Sequence, residues 1–188
     1  SIPNLYEYLN KKYANSINFE HTYFLTEDVT DWLLERLGYK VREKYFFEEH
    51  SIFYCAELVG QGTLIKKSLN MYDKYKSMYI SMINFYKSEV TRINLEIKSW
   101  SGDIYLFGAH IFSQFLIYLG LEVKNILAII DNSEKKIGSR LYGSALKVKK
   151  PLVISKKSNV MVIVKAGQYQ KEVVKQLINI NNKVYIVD

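Results

Sequence analysis

The chain has 188 residues and a formal net charge of +7, from 26 basic and 19 acidic side chains. Its hydrophobic content of 48% is ordinary for a globular protein, so it can form one large domain or two small ones. No apolar run approaches the roughly 18–20 residues that span a membrane, and the single cysteine, Cys55, excludes an internal disulfide framework. We therefore predict a cytoplasmic protein that binds no membrane. Its basic residues are mostly lysines spread along the chain, which argues against nucleic-acid binding and suits an anionic metabolite at least as well.

The first third of the chain predicts two helices followed by an antiparallel hairpin. Residues 5–13 carry apolar side chains at helical spacing. Thr26 is a suitable N-cap for the second helix, and Gly38 is a suitable residue to end it. Two runs rich in β-branched and aromatic side chains, residues 39–47 and 51–59, are joined by a short acidic turn, and this pattern predicts the hairpin.

The middle of the chain predicts one long helix or two stacked helices. From residue 64 to about residue 100 there is no Gly or Pro, and Tyr, Met and Ile recur at three- and four-residue spacings. Such a stripe is far more often a packing surface than a cofactor-binding surface. After Ser101 and Gly102, strand-like and helix-like segments alternate, which predicts a mostly parallel sheet with helices on its faces. The predicted fold class is therefore α/β, with two lobes that meet in or beside the long helix.

Residues 18–24 place an acid, an imidazole and a phenol within four positions, just before a predicted helix. Glu20, His21 and Tyr23 can supply a general base, a general acid and an oxyanion donor, and the unperturbed pKa of histidine, about 6.5, suits proton transfer near neutral pH. In a regular strand Glu20 and His21 would point to opposite faces. On chemistry alone, a surface glutamate beside a packed histidine is the more common arrangement, so both interpretations stay open.

A second motif follows the long helical region. Gly108, Ala109 and His110 lie between a predicted strand and a predicted helix, and Asp131 ends the next strand. Dinucleotide-binding folds place a phosphate-binding turn and a ribose-binding acid at about this separation. The fingerprint is incomplete, because His110 and Ser113 occupy the second and third glycine positions. This departure disfavours the binding of NAD or FAD.

The order of these motifs resembles the second half of a class I S-adenosylmethionine-dependent sugar C-methyltransferase. The segments that carry the resemblance are Ile2-Pro3-Asn4-Leu5, residues 18–24, Gly38-Tyr39 and His50-Ser51-Ile52-Phe53-Tyr54. The resemblance implies that Glu20 and His21 lie at a nucleotide-sugar site and take part in proton chemistry. It also implies that the hairpin closes the methyltransferase sheet.

Residues 106–110, 130–138 and 141–143 resemble the Rossmann-like C-terminal domain of the same enzymes. The resemblance implies a domain that helps to enclose the nucleotide sugar. Gly108, His110 and Asp131 would then contact the substrate in a crevice at the carboxyl ends of the strands. We accordingly predict three regions, with residues 1–62 as the end of a partial methyltransferase core, 63–100 as a helical linker and 101–188 as the C-terminal domain.

The resemblance implies a C-terminal fragment of a methyltransferase that acts on a nucleotide sugar or a surface-glycan precursor. We expect the fragment to contribute substrate binding and proton transfer, and to need the missing N-terminal half for activity. The glycine-rich loop that binds S-adenosylmethionine and the cysteine cluster of a zinc module are expected in that half, so we expect neither cofactor nor metal here. Two alternatives stay open: a non-catalytic module that binds nucleotide sugars, and a homodimerisation unit built on the Tyr- and Met-rich helix.

Overall fold

A computed structural model of the protein describes residues 1–18, 21–62 and 71–188, and Glu20 lies outside these residues. Contacts within the chain divide it into two compact units, Ser1–Met82 and Ile83–Asp188. The first unit contains a three-stranded antiparallel sheet, and the second contains a five-stranded parallel sheet with flanking helices. The predicted α/β fold class is confirmed, whereas the division into three regions stays a prediction.

The first unit is built around the predicted hairpin. Its strands are β1 (Ile2–Pro3), β2 (Tyr39–Phe47) and β3 (Ser51–Leu58), which pair in the order β1-β3-β2. Helix α1 (Leu5–Asn10) follows β1, and helix α2 (Glu27–Arg36) precedes β2. The hairpin and α2 lie where the sequence predicts them, whereas α1 ends at Asn10, before the predicted end at residue 13.

Thr26 and Gly38 flank α2 as predicted. The Thr26 side chain accepts a hydrogen bond from the Val29 N–H at 3.3 Å, which pairs one of the donors that a helix start leaves free. Gly38 has a φ of +84°, a conformation that glycine adopts without steric cost. A Cβ at this position would also clash with the Gly60 carbonyl oxygen, so the chain reversal before β2 requires glycine.

Within the described residues of the predicted helical region, Tyr72–Ser99 form a single helix of 28 residues, α3. The part of that prediction before residue 71 lies outside the described residues. In the second unit, α3 buries side chains at three- and four-residue spacing, namely Tyr86, Val90, Ile93 and Ile97. These buried positions make the stripe a packing surface in this unit.

The second unit has a parallel sheet in the order β6-β5-β4-β7-β8. Its strands are β4 (Asp103–Phe107), β5 (Ile126–Ile130), β6 (Val148–Lys149), β7 (Val160–Val164) and β8 (Tyr185–Val187). Helix α4 (Ile111–Tyr118) connects β4 to β5, and helix α5 (Gln170–Ile180) connects β7 to β8. The strand order changes direction between β4 and β7, and this is the topological switch point at which open α/β sheets bind ligands.

The register of the parallel sheet aligns three loops at one edge. Phe107 at the end of β4 pairs with Ile130 of β5 on one side and with Val164 of β7 on the other. The loops that follow these strands therefore begin side by side. All five residues of β7 are buried, as expected for a strand covered on both faces.

Cys55 is a free and exposed thiol. Within residues 1–18, 21–62 and 71–188, no helix is both long and apolar enough to cross a membrane. The same residues contain no group of three or more His, Cys, Asp or Glu side chains that could hold a metal ion.

Candidate functional site

The turn after β4 begins at Gly108, which has a φ of +94°. Its N–H donates to the Ile130 carbonyl oxygen at 2.7 Å. A Cβ on Gly108 would clash with the imidazole of His110, so that the ring lies directly over the glycine. In a dinucleotide fingerprint the second glycine leaves room for a pyrophosphate to approach the backbone. Here a histidine ring fills space beside the turn, which further disfavours that mode of binding.

His110 caps α4 and is uncharged at neutral pH. Its Nδ1 accepts a hydrogen bond from the Phe112 N–H at 3.2 Å, which places the proton of the neutral ring on Nε2. Burial is the main cause that lowers the pKa of His110 to about 4, and the Lys136 cation lowers it further, while Asp131 acts in the opposite direction. At pH 7 this imidazole can therefore form hydrogen bonds with a ligand but is a poor proton acceptor in catalysis.

The Asp131 carboxylate joins two of the aligned loops. Its Oδ2 accepts from the Ala109 N–H at 2.6 Å, and its Oδ1 accepts from the Ser133 N–H at 2.8 Å. Lys136 Nζ lies 3.4 Å from Oδ2, and the Asp131 side chain is only 9% exposed. In a dinucleotide fold the acid at this position binds ribose hydroxyls. Here its oxygens hold the turn after β4 against the loop after β5.

Ser113, at the third glycine position of the incomplete fingerprint, is buried. Its hydroxyl donates to the Phe107 carbonyl oxygen at 3.1 Å. In the fingerprint, the third glycine allows a close approach of helix and strand. In this chain a hydrogen bond attaches the first turn of α4 to the end of β4 instead.

The loop after β7 adds a half-buried ion pair that the sequence pattern did not predict. Lys165 Nζ lies 2.5 Å from Glu89 Oε2, and the two side chains are 14% and 16% exposed. Burial acts to raise the pKa of Glu89, but hydrogen bonds from Arg92 and Lys165 outweigh it and hold this pKa below its usual value. In the sequence, the available indication of this pair was a lysine directly after the wholly apolar strand β7. Its partner, Glu89, lies 76 positions away, so the sequence does not connect the two residues.

A cleft of about 540 Å³ lies beside the same edge, between the ends of β5 and β6 and one side of α5. Its volume falls within the range of small-molecule sites, which is about 300–1,000 Å³. Asp131 and Asn132 belong to its lining. The side-chain amides of Asn132 and Gln176 form two hydrogen bonds with each other, at 2.9 and 2.7 Å. The predicted residue Asp131 thus contacts the turn after β4 and also borders a space large enough for a ligand.

The structure brings together three of the six predicted site residues, namely Gly108, His110 and Asp131. His21 and Tyr23, from the motif predicted to transfer protons, belong to the first unit. There the His21 side chain is exposed and its ring lies 5.1 Å from that of Phe24, while Tyr23 is 80% exposed. Since Glu20 lies outside the described residues, the catalytic role of this motif stays a prediction.

Comparison of the sequence with models of protein families gives a match. The sequence model of the family described as C-methyltransferase C-terminal domain matches residues 65–185. The chain belongs to this family. The matched part of this C-methyltransferase C-terminal domain includes all of α3 and the whole edge formed by the loops after β4, β5 and β7. No curated protein matches the chain.

We expect Gly108→Ala to lower the free energy of unfolding by about 2 kcal/mol. A left-handed backbone costs an L-residue about 1–2 kcal/mol, and the new methyl group would also displace the His110 ring. Gly120→Ala is the matched control, because Gly120 has a φ of +101° and an added Cβ there meets nothing within 4 Å. Urea denaturation measures both changes. Equal losses for the two variants would show that the ring contact is energetically unimportant.

Proposed function

We propose that this chain is the substrate-binding and proton-transfer part of an S-adenosylmethionine-dependent methyltransferase that acts on a nucleotide sugar or a surface-glycan precursor. The observation that carries the proposal is the match of residues 65–185 to the C-methyltransferase C-terminal domain. A family with this description forms one part of a methyltransferase. We assign the cofactor to another part, because no glycine-rich loop suited to it follows a strand in this sequence.

Features of the carboxyl edge of the parallel sheet favour it as the proposed binding site for the nucleotide sugar. Ligands of open α/β sheets bind at this edge, next to the switch point, and the net charge of +7 favours an anionic diphosphate. The N–H groups of Gly108 and Ala109 already donate to the Ile130 carbonyl and to Asp131. We therefore expect side chains such as His110, rather than these two N–H groups, to contact the ligand.

The motif of Glu20, His21 and Tyr23 is the proposed source of proton transfer. Methylation of a carbon next to a sugar carbonyl needs a base to remove a proton and a donor to stabilise the enolate. The exposure of His21 and Tyr23 leaves their side chains accessible to a substrate. S-adenosylmethionine would supply the methyl group through its sulfonium centre.

A non-catalytic module that binds nucleotide sugars is the second candidate function. It is favoured by the extent of the family match, which includes Gly108, His110 and Asp131 but begins after Glu20, His21 and Tyr23. Under both proposals the second unit binds the nucleotide sugar. They differ only in whether the first unit contributes chemistry.

We expect a nucleoside diphosphate sugar to raise the melting temperature of the 188-residue chain. A ligand at 100 times its dissociation constant adds about 2.7 kcal/mol of stability. The panel consists of UDP-, dTDP-, GDP- and CDP-glucose, measured by thermal shift and calorimetry, with S-adenosylmethionine in parallel. His110→Asn should weaken binding about tenfold through a lost hydrogen bond, whereas Lys183→Gln, before the amino end of β8, should leave it unchanged.

Two results would contradict the proposal. A flat response of the wild-type chain across the whole panel would remove the nucleotide-sugar assignment. Tight binding of S-adenosylmethionine by this chain alone would show that the cofactor site is not supplied from elsewhere.

A further inference from the structure

Gln168 carries a buried polar atom without a partner. Among the residues that the structure describes, none donates a hydrogen bond to its side-chain oxygen Oε1, which is shielded from solvent. Most buried acceptors in proteins are paired, and an unpaired one costs free energy. The exception therefore needs a physical explanation.

The position of Gln168 places it at the switch point. The loop after β7 begins beside the loop after β4, because Val164 and Phe107 are paired neighbours in the sheet. Gly167, with a φ of +57°, turns the chain just before Gln168, and α5 starts two residues later. Gln168 thus lies on the same edge as Gly108 and His110.

A different glutamine, Gln170, holds this loop in place through its side-chain hydrogen bonds. Gln170 Oε1 accepts from the Ala166 N–H at 2.8 Å, and its Nε2 donates to the Val164 carbonyl oxygen at 3.0 Å. Gln170 thereby closes the loop onto the end of β7. No comparable bond to Gln168 Oε1 stabilises the fold of the described residues.

We propose that Gln168 is a ligand-recognition residue, whose side-chain oxygen accepts a hydrogen bond from an O–H or N–H group of the ligand bound at the switch point. The last torsion of a glutamine side chain is broad and soft, so the amide can turn toward a ligand without losing a bond at Oε1. Fully ionised phosphate oxygens only accept hydrogen bonds. The partner is therefore a hydroxyl of the ribose or hexose, or a ring N–H of the base. The identity of this ligand rests on the proposed function.

The test is the nearly isosteric substitution Gln168→Met. Replacing an unpaired buried acceptor by an apolar group should stabilise the free chain, with a melting temperature higher by about 2–4 °C. The same change should weaken binding of the tightest nucleoside diphosphate glucose of the panel at least about tenfold, since one hydrogen bond is lost. A residue with a purely structural role would not combine higher stability with weaker binding.

Gln170→Met is the matched control, because it makes the same change two residues away where both amide atoms are bonded. We expect it to lower the melting temperature by about 5 °C or more. A lower melting temperature for Gln168→Met would show that Oε1 has a partner in solution, such as water, and would overturn the inference. An unchanged dissociation constant for this variant would overturn the inference while leaving the proposed function intact. Failure of the wild-type chain to bind any member of the panel would remove both.

Discussion

Asp131→Ala is expected to lower the free energy of unfolding of the second unit by about 4 kcal/mol, the largest effect that we predict for a single substitution. The carboxylate accepts from the Ala109 and Ser133 N–H groups. Its removal would leave two donors unpaired near a buried position, at about 1–3 kcal/mol each. Urea denaturation in a Trp32→Phe background would measure the effect, because Trp100, stacked on Tyr185, then reports on the second unit alone.

Two further variants separate the backbone hydrogen bonds of Asp131 from its ion pair. Asp131→Asn keeps the shape and one acceptor oxygen, so we expect about half of the loss seen with alanine. Lys136→Gln removes only a cation that is 42% exposed, and we expect a change below about 1 kcal/mol. If Asp131→Ala were no more damaging than Lys136→Gln, the carboxylate would not be holding the two loops together.

Acidification from pH 7 to pH 4 is expected to cost about 3 kcal/mol of stability through His110 alone. Burial is the main reason why the pKa of His110 lies near 4 in the folded chain instead of 6.5. Below pH 6.5 the unfolded chain binds a proton at this residue, whereas the folded chain does so only near pH 4. Each pKa unit of difference corresponds to about 1.4 kcal/mol. Stability therefore decreases as the pH falls through this window, and the His110 contribution levels off below it.

His110→Asn is the control for this pH dependence, because asparagine can still cap α4 through its side-chain oxygen. The difference in unfolding free energy between wild type and variant, measured from pH 7 to pH 4, isolates the imidazole from carboxylates such as Glu89 that also titrate in acid. Parallel curves for the two proteins would contradict the assignment. An NMR titration of the ring gives its pKa directly, and this pKa should rise in Lys136→Gln because a nearby cation is removed.

The parts of the fold that the sequence predicted are those set by local chemistry. Thr26 and Gly38 flank α2 because a hydroxyl pairs a free helix donor and glycine tolerates a positive φ. The strand β6 was not predicted, since two residues are too few to show a period. The cap of α4 was also missed, because histidine is not among the usual capping residues and its role here follows from its contact with Phe112.

The candidate site was predictable in position but not in bonding. The spacing of Gly108 and Asp131 indicated loops that follow adjacent parallel strands, and the register confirms this arrangement. The sequence could not show that the carboxylate is bonded to the backbone of Ala109, since this depends on the side-chain direction after folding. The pairing of Lys165 with Glu89 could not be predicted either, because it joins helix α3 to the loop after β7, which is distant in the chain.

The carboxylate shared by the loops after β4 and β5 also affects the thermodynamics of recognition. Two segments that would otherwise fluctuate separately are joined before any ligand arrives. A ligand that binds at this edge, as we propose, would therefore cost little conformational entropy, and a larger share of the contact free energy would appear as affinity. Preorganisation of this kind would let a small number of side-chain contacts hold the flexible sugar nucleotide that we propose as the ligand.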